Sequence, residues 1–374
     1  MKVLFPFVGD SIGGSHRSIL ELYSTLKGSD ITPIFVLHEV GPLSNLLDSL
    51  NIEYNYIFIA HLAGESPNIF KIGYSIILNF FKLSKFIHKN KINIVHGNDL
   101  RINLTWSFPT KFSGAFYLWH QRSLMSTSAL WSISAILANH FVTISQYVHQ
   151  SLPINIPKSK KTLVLNPFNT KNIYDQESSR KWINELYGIP KRSILLGYIG
   201  RLVDWKNVDF IISCFMEYSE NSSLHLHLIV VGTGDSQYVD SLKQLVHKLE
   251  IQNIVTFSGF NSEPNREISA FDLMIAPSDQ EPFGRTLVEA MIQKTPVLAA
   301  RGGGHSEIID NGVTGRLYSH RKISSFVSQL DMYINNHQST HKIINKANTI
   351  ATLKYDSNRH SKSIIKIYHN LIFT

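Results

Sequence analysis

Ala276-Pro277-Ser278-Asp279-Gln280-Glu281-Pro282-Phe283-Gly284-Arg285-Thr286-Leu287-Val288-Glu289-Ala290-Met291 is the stretch that decides the fold of this chain. An apolar run, Phe271 to Ala276, enters a polar turn holding two prolines. A helical pattern follows at once, with Leu287, Val288, Ala290 and Met291 apolar and Thr286 and Glu289 polar. A strand therefore feeds a loop, and the loop feeds a helix start. The first N–H groups of a helix have no internal acceptor, so such a junction is where an α/β protein holds a phosphate-bearing ligand. Glu281 and Glu289 bracket the junction, with Glu281 ahead of the helix proper. Eight residues of helix rise about 12 Å, roughly the reach of a sugar joined through a diphosphate to a ribose. One carboxylate can then hold each end while backbone donors hold the middle.

Outward from this junction the same grammar repeats. Toward the N-terminus come strands at Ile254–Phe257, Leu224–Val231 and Ile194–Ile199, with helices at Val239–Leu249, Phe210–Tyr218 and, shorter, Trp182–Tyr187. Toward the C-terminus, Val297–Ala300 is a strand ending in Gly302-Gly303-Gly304, and residues 321–374 are mostly helical by pattern. The first half opens with a strand at Lys2–Val8, the loop Gly9-Asp10-Ser11-Ile12-Gly13-Gly14 and a helix from Ser15 to Leu26. Further strands are expected at Thr32–His38, Glu53–Ile59, Ile92–Gly97, Gly114–His120, Phe141–Ile144 and Thr162–Leu165. Strands alternating with helices argue for parallel, doubly wound sheets. Asn166-Pro167-Phe168-Asn169-Thr170-Lys171-Asn172 reads as the linker between two Rossmann-like halves.

Length and composition agree with two domains. At 374 residues the chain exceeds one ordinary core, and 43% hydrophobic with 17% charged residues is a globular balance. The lone cysteine, Cys214, excludes an internal disulfide and fits a reducing compartment. Lys2–Val8 is too short for a signal segment, and no apolar run approaches the ~20 residues that span a bilayer. The net charge of +8 is unevenly placed: residues 1–168 carry +6, residues 169–354 are neutral and residues 355–374 carry +2. A basic N-terminal half suits an anionic surface or substrate, with ordinary solubility charge as the equal competitor. Within it, Asn68 to Lys91 mixes Phe70, Ile72, Ile76, Ile77, Phe80, Phe81 and Phe86 with Lys71, Lys82, Lys85, Lys89 and Lys91. This reads as a sheet-covering helix with a solvated lysine face, as a basic amphipathic surface for anionic lipid, or as both at once.

The side chains that carry chemistry sit on loops after strands. Arg201 and Lys206, in Gly200-Arg201-Leu202-Val203-Asp204-Trp205-Lys206, fall on the ligand edge of an open parallel sheet. There they are suited to clamp a diphosphate, although for either alone a surface salt bridge is the commoner explanation. His120, in Leu118-Trp119-His120-Gln121-Arg122, and His96, in Val95-His96-Gly97-Asn98-Asp99, end strands of the first half. Among 17 histidines most are structural. The chain has no Asp-x-Asp pair, no zinc-ligand spacing, no Gly-x-Ser-x-Gly elbow and no Walker lysine motif.

Taken as an ordered series, these residues resemble the retaining glycosyltransferases of family four, with the GT-B fold. The series runs from Gly13-Gly14 with Arg17, through Ile199-Gly200-Arg201-Leu202 with Lys206, Val230-Val231-Gly232-Thr233-Gly234 and Val255-Thr256-Phe257-Ser258-Gly259-Phe260. It ends with Glu281 to Glu289, which fit the family's E-x7-E signature, then Gly303-Gly304 with Glu307 and Asn311-Gly312-Val313-Thr314-Gly315. The resemblance is strongest over residues 195–318. It implies two Rossmann-like domains facing across a cleft: residues 1–168 for the acceptor, residues 169–354 for the nucleotide sugar, and residues 355–374 as a helix returning to the first domain.

The resemblance also implies roles. Glu281 would bind the donor sugar hydroxyls, with the Phe283 and Gly284 backbone on the same sugar. Arg201, Lys206, the Thr286 and Leu287 backbone and Gly14 would bind the diphosphate. Glu289 would hold the ribose, and Gly259 and Phe260 would meet the base. His120 would lie near the transferred sugar, so Glu281 and His120 are the candidate catalytic side chains, neither assigned as a nucleophile. Such enzymes use no metal and no cofactor beyond the nucleotide-sugar co-substrate. The implied reaction moves a sugar to a glycan acceptor, taken as lipid-linked, in lipopolysaccharide, capsule or exopolysaccharide assembly. The implied place is the cytoplasm, with the N-terminal half against the anionic inner face of the plasma membrane. A soluble synthase acting on a small sugar or sugar phosphate is the alternative within the fold. A nucleic-acid-binding protein, suggested only by the pI near 9.3, lacks a recognised module. Asn207 and Lys294 depart from the family's usual glycines without removing a proposed contact, and His305 has no role assigned from sequence.

Overall fold

Thirteen strands are present in the described residues, and the central ones of each sheet follow apolar runs buried on both faces, whereas the edge strands at Tyr54–Tyr56, Lys161–Leu163 and Arg316–Tyr318 are short and partly exposed. In the first unit they are β1 (Lys2–Phe7), β2 (Thr32–Leu37), β3 (Tyr54–Tyr56), β4 (Ile94–Gly97), β5 (Phe116–Gln121), β6 (His140–Thr143) and β7 (Lys161–Leu163). In the second they are β8 (Ile194–Ile199), β9 (Leu226–Val231), β10 (Val255–Gly259), β11 (Leu273–Ala276), β12 (Val297–Ala300) and β13 (Arg316–Tyr318). The structure, a computed structural model, describes residues 1–59, 69–125, 129–261 and 264–373, the side chains of 69–76 and 129–130 excepted. Asn68 and the side chains of Phe70, Lys71, Ile72 and Ile76 in the basic amphipathic segment lie outside the described residues, as does Thr374 at the end of the last helix. By their contacts the residues divide into residues 1–168 with 357–374, and residues 169–356.

Both sheets are parallel and share one winding. The first runs β3-β2-β1-β4-β5-β6-β7 and the second β10-β9-β8-β11-β12-β13. The chain builds outward from the first strand of each sheet, returns, and builds outward in the other direction. The order reverses between β1 and β4, and again between β8 and β11. Loops leaving the carboxyl ends at a reversal diverge to opposite faces, so a crevice opens there. Each unit therefore carries its own ligand edge, and the candidate residues lie on those edges.

Burial explains why the central strands pair. All six residues of β9 are buried, and β8 pairs with it in register from Ile194↔Leu226 to Ile199↔Val231. On one face of the second sheet, Leu196, Leu228, Val230 and Ile275 pack against Ile211, Phe215, Phe326 and Leu330 of covering helices. The first sheet is packed on both faces. Phe5, Leu118 and Val142 meet Ile19, Leu22, Ile364 and Tyr368 on one side, while Leu4, Val95 and Trp119 meet Leu83, Ile87 and Trp106 on the other. Each such side chain contributes roughly 1.5–3 kcal/mol by leaving water.

The last helix, Ser357–Phe373, belongs to the first unit through Ile364, Ile367 and Tyr368. Ser357 fixes its start by donating to the Phe168 carbonyl at 2.7 Å. Among the differences from the sequence expectation, β3 keeps only Tyr54–Tyr56 of the strand expected at Glu53–Ile59. The helix read as Trp182–Tyr187 spans Gln176–Tyr187, because Asp175 caps it by accepting from the Ser178 N–H at 2.8 Å and the polar turn Gln176–Lys181 needs no apolar partner. Strand β13 was not anticipated: three residues show no periodicity, and its pairing with β12 alone makes it a strand.

Candidate functional site

The second unit's reversal brings Lys206 and Glu281 into contact. Lys206 ends the loop after β8 and Glu281 stands in the loop after β11, on adjacent strands of the sheet. Lys206 Nζ donates to Glu281 Oε2, and the two side chains are only 16% and 18% exposed. The Lys206 ammonium also lies 4.3 Å from the centre of the Trp205 ring, a cation–π contact that helps hold it while half-dehydrated. Burial pushes the Glu281 carboxyl up, but Lys206 and Arg201 pull it down and win, leaving it below the ordinary carboxylate range. Arg201 is exposed at the mouth of the same loop. His305 also faces Glu281, but burial lowers its own pKa to about 4, so it is neutral near pH 7 and Lys206 is the principal charge holding Glu281 ionised.

The glycine triplet after β12 braces this loop. The Gly304 N–H donates to the Glu281 carbonyl at 2.8 Å. A Cβ on Gly304 would come within 2.4 Å of the Phe283 carbonyl oxygen, so only glycine lets the two backbones approach. Gly284 has φ +101°, a conformation that side chains resist, and its Cα hydrogens lie over the His305 ring, where a Cβ would be 2.8 Å from Cδ2. The imidazole of His305 is 2% exposed and forms the floor beneath this turn, with Nδ1 3.4 Å from the Ala300 carbonyl. Sequence could not assign it because the contact joins loops after two different strands.

Helix Arg285–Ile292 begins at Gly284 with no side-chain cap and no acid in its first turn. An uncapped helix start carries partial positive charge and is open to an anion. Of the two N–H groups expected to face a diphosphate, that of Leu287 already donates to the Gly284 carbonyl at 3.2 Å, while Thr286 sits at the helix start. Glu289 is buried one turn on and paired loosely with Arg285 at 3.4 Å. The Phe283 ring is buried and packs edge-on to Tyr355 at 5.8 Å. Gly259 ends β10 and Phe260 follows it, separated from β11 by β9 and β8, and Phe260 is 60% exposed. Within the second unit the loops thus gather Arg201, Lys206, Glu281 and Gly284, with Phe260 farther along the same edge.

Gly14 and His120 belong to the first unit. Gly14 starts the helix Gly14–Thr25, and the Gly13 N–H before it donates to His16 Nδ1 at 2.9 Å. Burial lowers His16 to about 4, so it caps the turn as a neutral ring. The loops after β1 and β4 are tied by Arg101, which pairs with Asp10 at 2.6 Å. His120 is 1% exposed, so it lies inside the protein. It stacks on His96 at 5.3 Å between ring centres, since His96 is paired with Leu118 across β4 and β5 and His120 is two residues on, on the same face. Arg122, Asn98 and Asn166 surround it: Arg122 donates to Asn98 Oδ1 at 2.9 Å and to Asn166 Oδ1 at 2.7 Å. Arg122 has no role assigned from sequence. Among the described residues no three His, Cys, Asp or Glu side chains gather at metal-binding distance.

Residues 180–349 match the family described as glycosyl transferases group 1. An uncharacterized glycosyltransferase of Methanocaldococcus jannaschii is 25% identical over 233 residues, covering 61% of this chain and 59% of that protein. The poly(ribitol-phosphate) alpha-N-acetylglucosaminyltransferase of Staphylococcus aureus is 23% identical over 58% of this chain and 43% of its own. The chain's matches span about half the length of the first such relatives. Among solved structures, Anabaena HepE in complex with UDP and glucose superposes with a TM-score of 0.85 at 20% identity, covering 98% of this chain and 99% of that one. WaaG, a glycosyltransferase involved in lipopolysaccharide biosynthesis, gives 0.72 at 14% identity over 97% and 99%. These likenesses establish the fold as that of the GT-B glycosyltransferases.

Proposed function

Residues 180–349 belong to the group 1 glycosyl transferases, and from that premise we propose that this chain moves a sugar from a nucleotide diphosphate sugar to a glycan acceptor with retention of configuration. One observation carries the reading: the Lys206–Glu281 pair at the sheet reversal, beside an uncapped helix start. A diphosphate needs cations and backbone donors, and a sugar needs a fixed hydroxyl acceptor; this edge supplies both within one unit. The structurally similar Anabaena HepE has been solved with UDP and glucose and with UDP-glucose.

The chemistry follows from the charges. As the bond from the anomeric carbon to the diphosphate breaks, negative charge grows on the departing oxygen. Lys206, Arg201 and the helix start near Thr286 offset it, so the cations come from the protein and no metal is needed in this reading. Glu281, held ionised, accepts hydrogen bonds from the sugar hydroxyls. Glu289 takes the ribose, and Phe260 offers its exposed face to the base. The acceptor hydroxyl attacks from the face the diphosphate leaves, its proton passes to the departing diphosphate oxygen, and no side chain acts as a nucleophile.

The acceptor in this reading is lipid-linked. Helix Ile69–Asn90 buries Leu83 and Ile87 against the sheet, yet exposes Ile77, Leu78 and Phe81, the last by 73%. Phe112, 69% exposed, reaches Phe80 at 5.7 Å, and Lys82, Lys85 and Lys89 rim the patch. An apolar patch with a lysine rim suits the anionic inner face of a membrane. Among the described residues no helix is long and apolar enough to cross one. The test is donor turnover by wild type, Glu281→Ala and Lys206→Ala over a panel of nucleotide sugars. Folded variants that turn over at the wild-type rate would sink the site. Flotation equal on anionic and neutral vesicles would shift the acceptor to a small soluble sugar.

A further inference from the structure

Within the second unit, two consecutive side chains in the loop after β13 reach toward the loops that bring Lys206 and Glu281 together. Arg321 Nη2 donates to Asn207 Oδ1 at 2.7 Å, and Asn207 is the residue after Lys206. His320 Nδ1 lies 3.6 Å from Asp279 Oδ1, and Asp279 precedes Glu281 by two residues in the loop after β11. Strand β13 lies at the end of the sheet and pairs only with β12. A third loop, from the edge of the sheet, thus meets both loops that carry the ion pair.

Asn207 shows what the contact does. Its φ of +53° and ψ of +41° are left-handed, which lets the chain leave the short turn Asp204–Lys206 and enter helix Val208–Glu220 at once. Glycine takes that conformation most easily, and asparagine is one of the few side chains that tolerate it. A glycine would serve the turn. The asparagine adds an amide that is 5% exposed. That amide does not cap the helix, because the helix start has no side-chain cap and the Val208 N–H donates to the Tyr238 hydroxyl at 3.1 Å instead. Its nitrogen donates to the Trp205 carbonyl at 3.3 Å, and its oxygen receives Arg321 from 114 residues away. The amide therefore joins the backbone just before Lys206 to the loop after β13.

Arg321 is left-handed as well, with φ +49°. Non-glycine residues stay in that region where their surroundings hold them there. Its ion pair with Asp209 is 3.9 Å long between side chains 53% and 38% exposed, too open to fix the guanidinium. The short, directional contact is the one to the buried Asn207 amide.

We propose that Arg321 and Asn207 are positioning residues for Lys206, fixing the turn that aims its ammonium at Glu281 and at the diphosphate of a bound donor. The proposal rests on the glycosyltransferase reading. Lysine is a point charge on a flexible four-carbon stem, so the tilt of its turn is magnified at Nζ. A charge that offsets a departing anion does its work in the transition state, so a small displacement is felt in kcat more than in donor binding.

The test uses the full-length protein and three variants. Asn207→Gly keeps the left-handed turn and removes only the amide. Arg321→Met keeps most of the stem and removes the donors. The double variant closes the cycle. Asn207→Gly should have a thermal midpoint at or above that of the wild type. Each single variant should lower kcat about five- to twentyfold with donor KM within about twofold, and the double should be no worse than the poorer single. Arg321→Lys should recover part of the loss. The second readout needs no substrate: with 13C-labelled glutamate carboxyls and Glu281→Gln to assign the signal, the Glu281 titration midpoint should move up in all three variants as Lys206 withdraws. An Asn207→Gly enzyme with full kcat, losses that add in the double variant, or an unmoved Glu281 titration would each overturn the proposal. A wild-type protein that turns over no sugar nucleotide in the panel would overturn the catalytic part together with the function, and the Glu281 titration would then decide by itself whether Arg321 and Asn207 hold Lys206.

Discussion

Replacing Lys206 with alanine tests the electrostatics of the site in a way that packing alone cannot imitate. Two unit charges at a contact distance of about 3 Å attract by about 5 kcal/mol at an effective dielectric of 20, before desolvation is subtracted. Exposed pairs retain 0–1 kcal/mol and breaking a fully buried pair costs about 3–5 kcal/mol. With side chains 16% and 18% exposed, Lys206 and Glu281 lie between these limits. The expected loss on Lys206→Ala is about 1–3 kcal/mol near pH 7. Its pH dependence has a definite sign. In the wild type the folded pKa of Glu281 is depressed, so its contribution is present above the unfolded carboxylate pKa and is lost as pH falls through the folded value. Without Lys206, burial has its main opponent removed, so the variant suffers most at high pH and recovers as Glu281 protonates. The stability gap should therefore be widest above about pH 5 and close below about pH 4. Urea unfolding between pH 3.5 and 8, with Glu281→Gln and the double variant closing the cycle, measures it. In the same protein kcat/KM should fall about 10²–10³-fold, as when one donor to a developing anion is removed. A gap that does not change with pH, or a coupling energy below about 0.3 kcal/mol, would refute the reasoning.

Gly284→Ala should cost about 1–3 kcal/mol in unfolding measurements, because φ is +101° and the new methyl meets the His305 ring; a neutral result would mean the turn is not held as described. Cys214 is wholly buried and its thiol is pushed up to about 12 by burial, so an aromatic disulfide reagent at pH 8 should label it only at the rate at which the second unit opens, and urea should accelerate labelling steeply. Phe81→Ser with Phe112→Ser should leave the thermal midpoint nearly unchanged and reduce flotation on anionic vesicles several-fold, as loss of exposed apolar area predicts. Ser357→Ala removes the bond to the Phe168 carbonyl and should lower the first unit's stability by about 1 kcal/mol in urea unfolding.

Much of the fold was legible along the chain because parallel strands buried on both faces appear as uninterrupted apolar runs. Ile194–Ile199 and Val297–Ala300 have the bounds expected of them, and the other central strands differ by a residue or two at their ends. The misreadings share a cause. Strand β13 and the polar first turn of helix Gln176–Tyr187 exist through a neighbour or a cap, and neither leaves a periodic apolar signal. His305 was visible as an oddity, yet its place beneath Gly284 depends on two loops meeting.

By itself the sequence determined the local chemistry: a strand that runs into an uncapped helix, carboxylates at Glu281 and Glu289, cations at Arg201 and Lys206, and glycines wherever backbone must approach backbone. Those properties belong to residues close together in the chain, and short-range sterics and hydrogen bonding suffice to express them. The tertiary structure decided which of them meet. Lys206 reaches Glu281 because β8 and β11, distant in sequence, are neighbours where the strand order reverses. Tyr368 reaches His96 because the last helix buries Ile364 and Ile367 in the first unit's core. Contacts of that kind are set by where apolar surface is buried, which no short stretch of sequence can specify on its own.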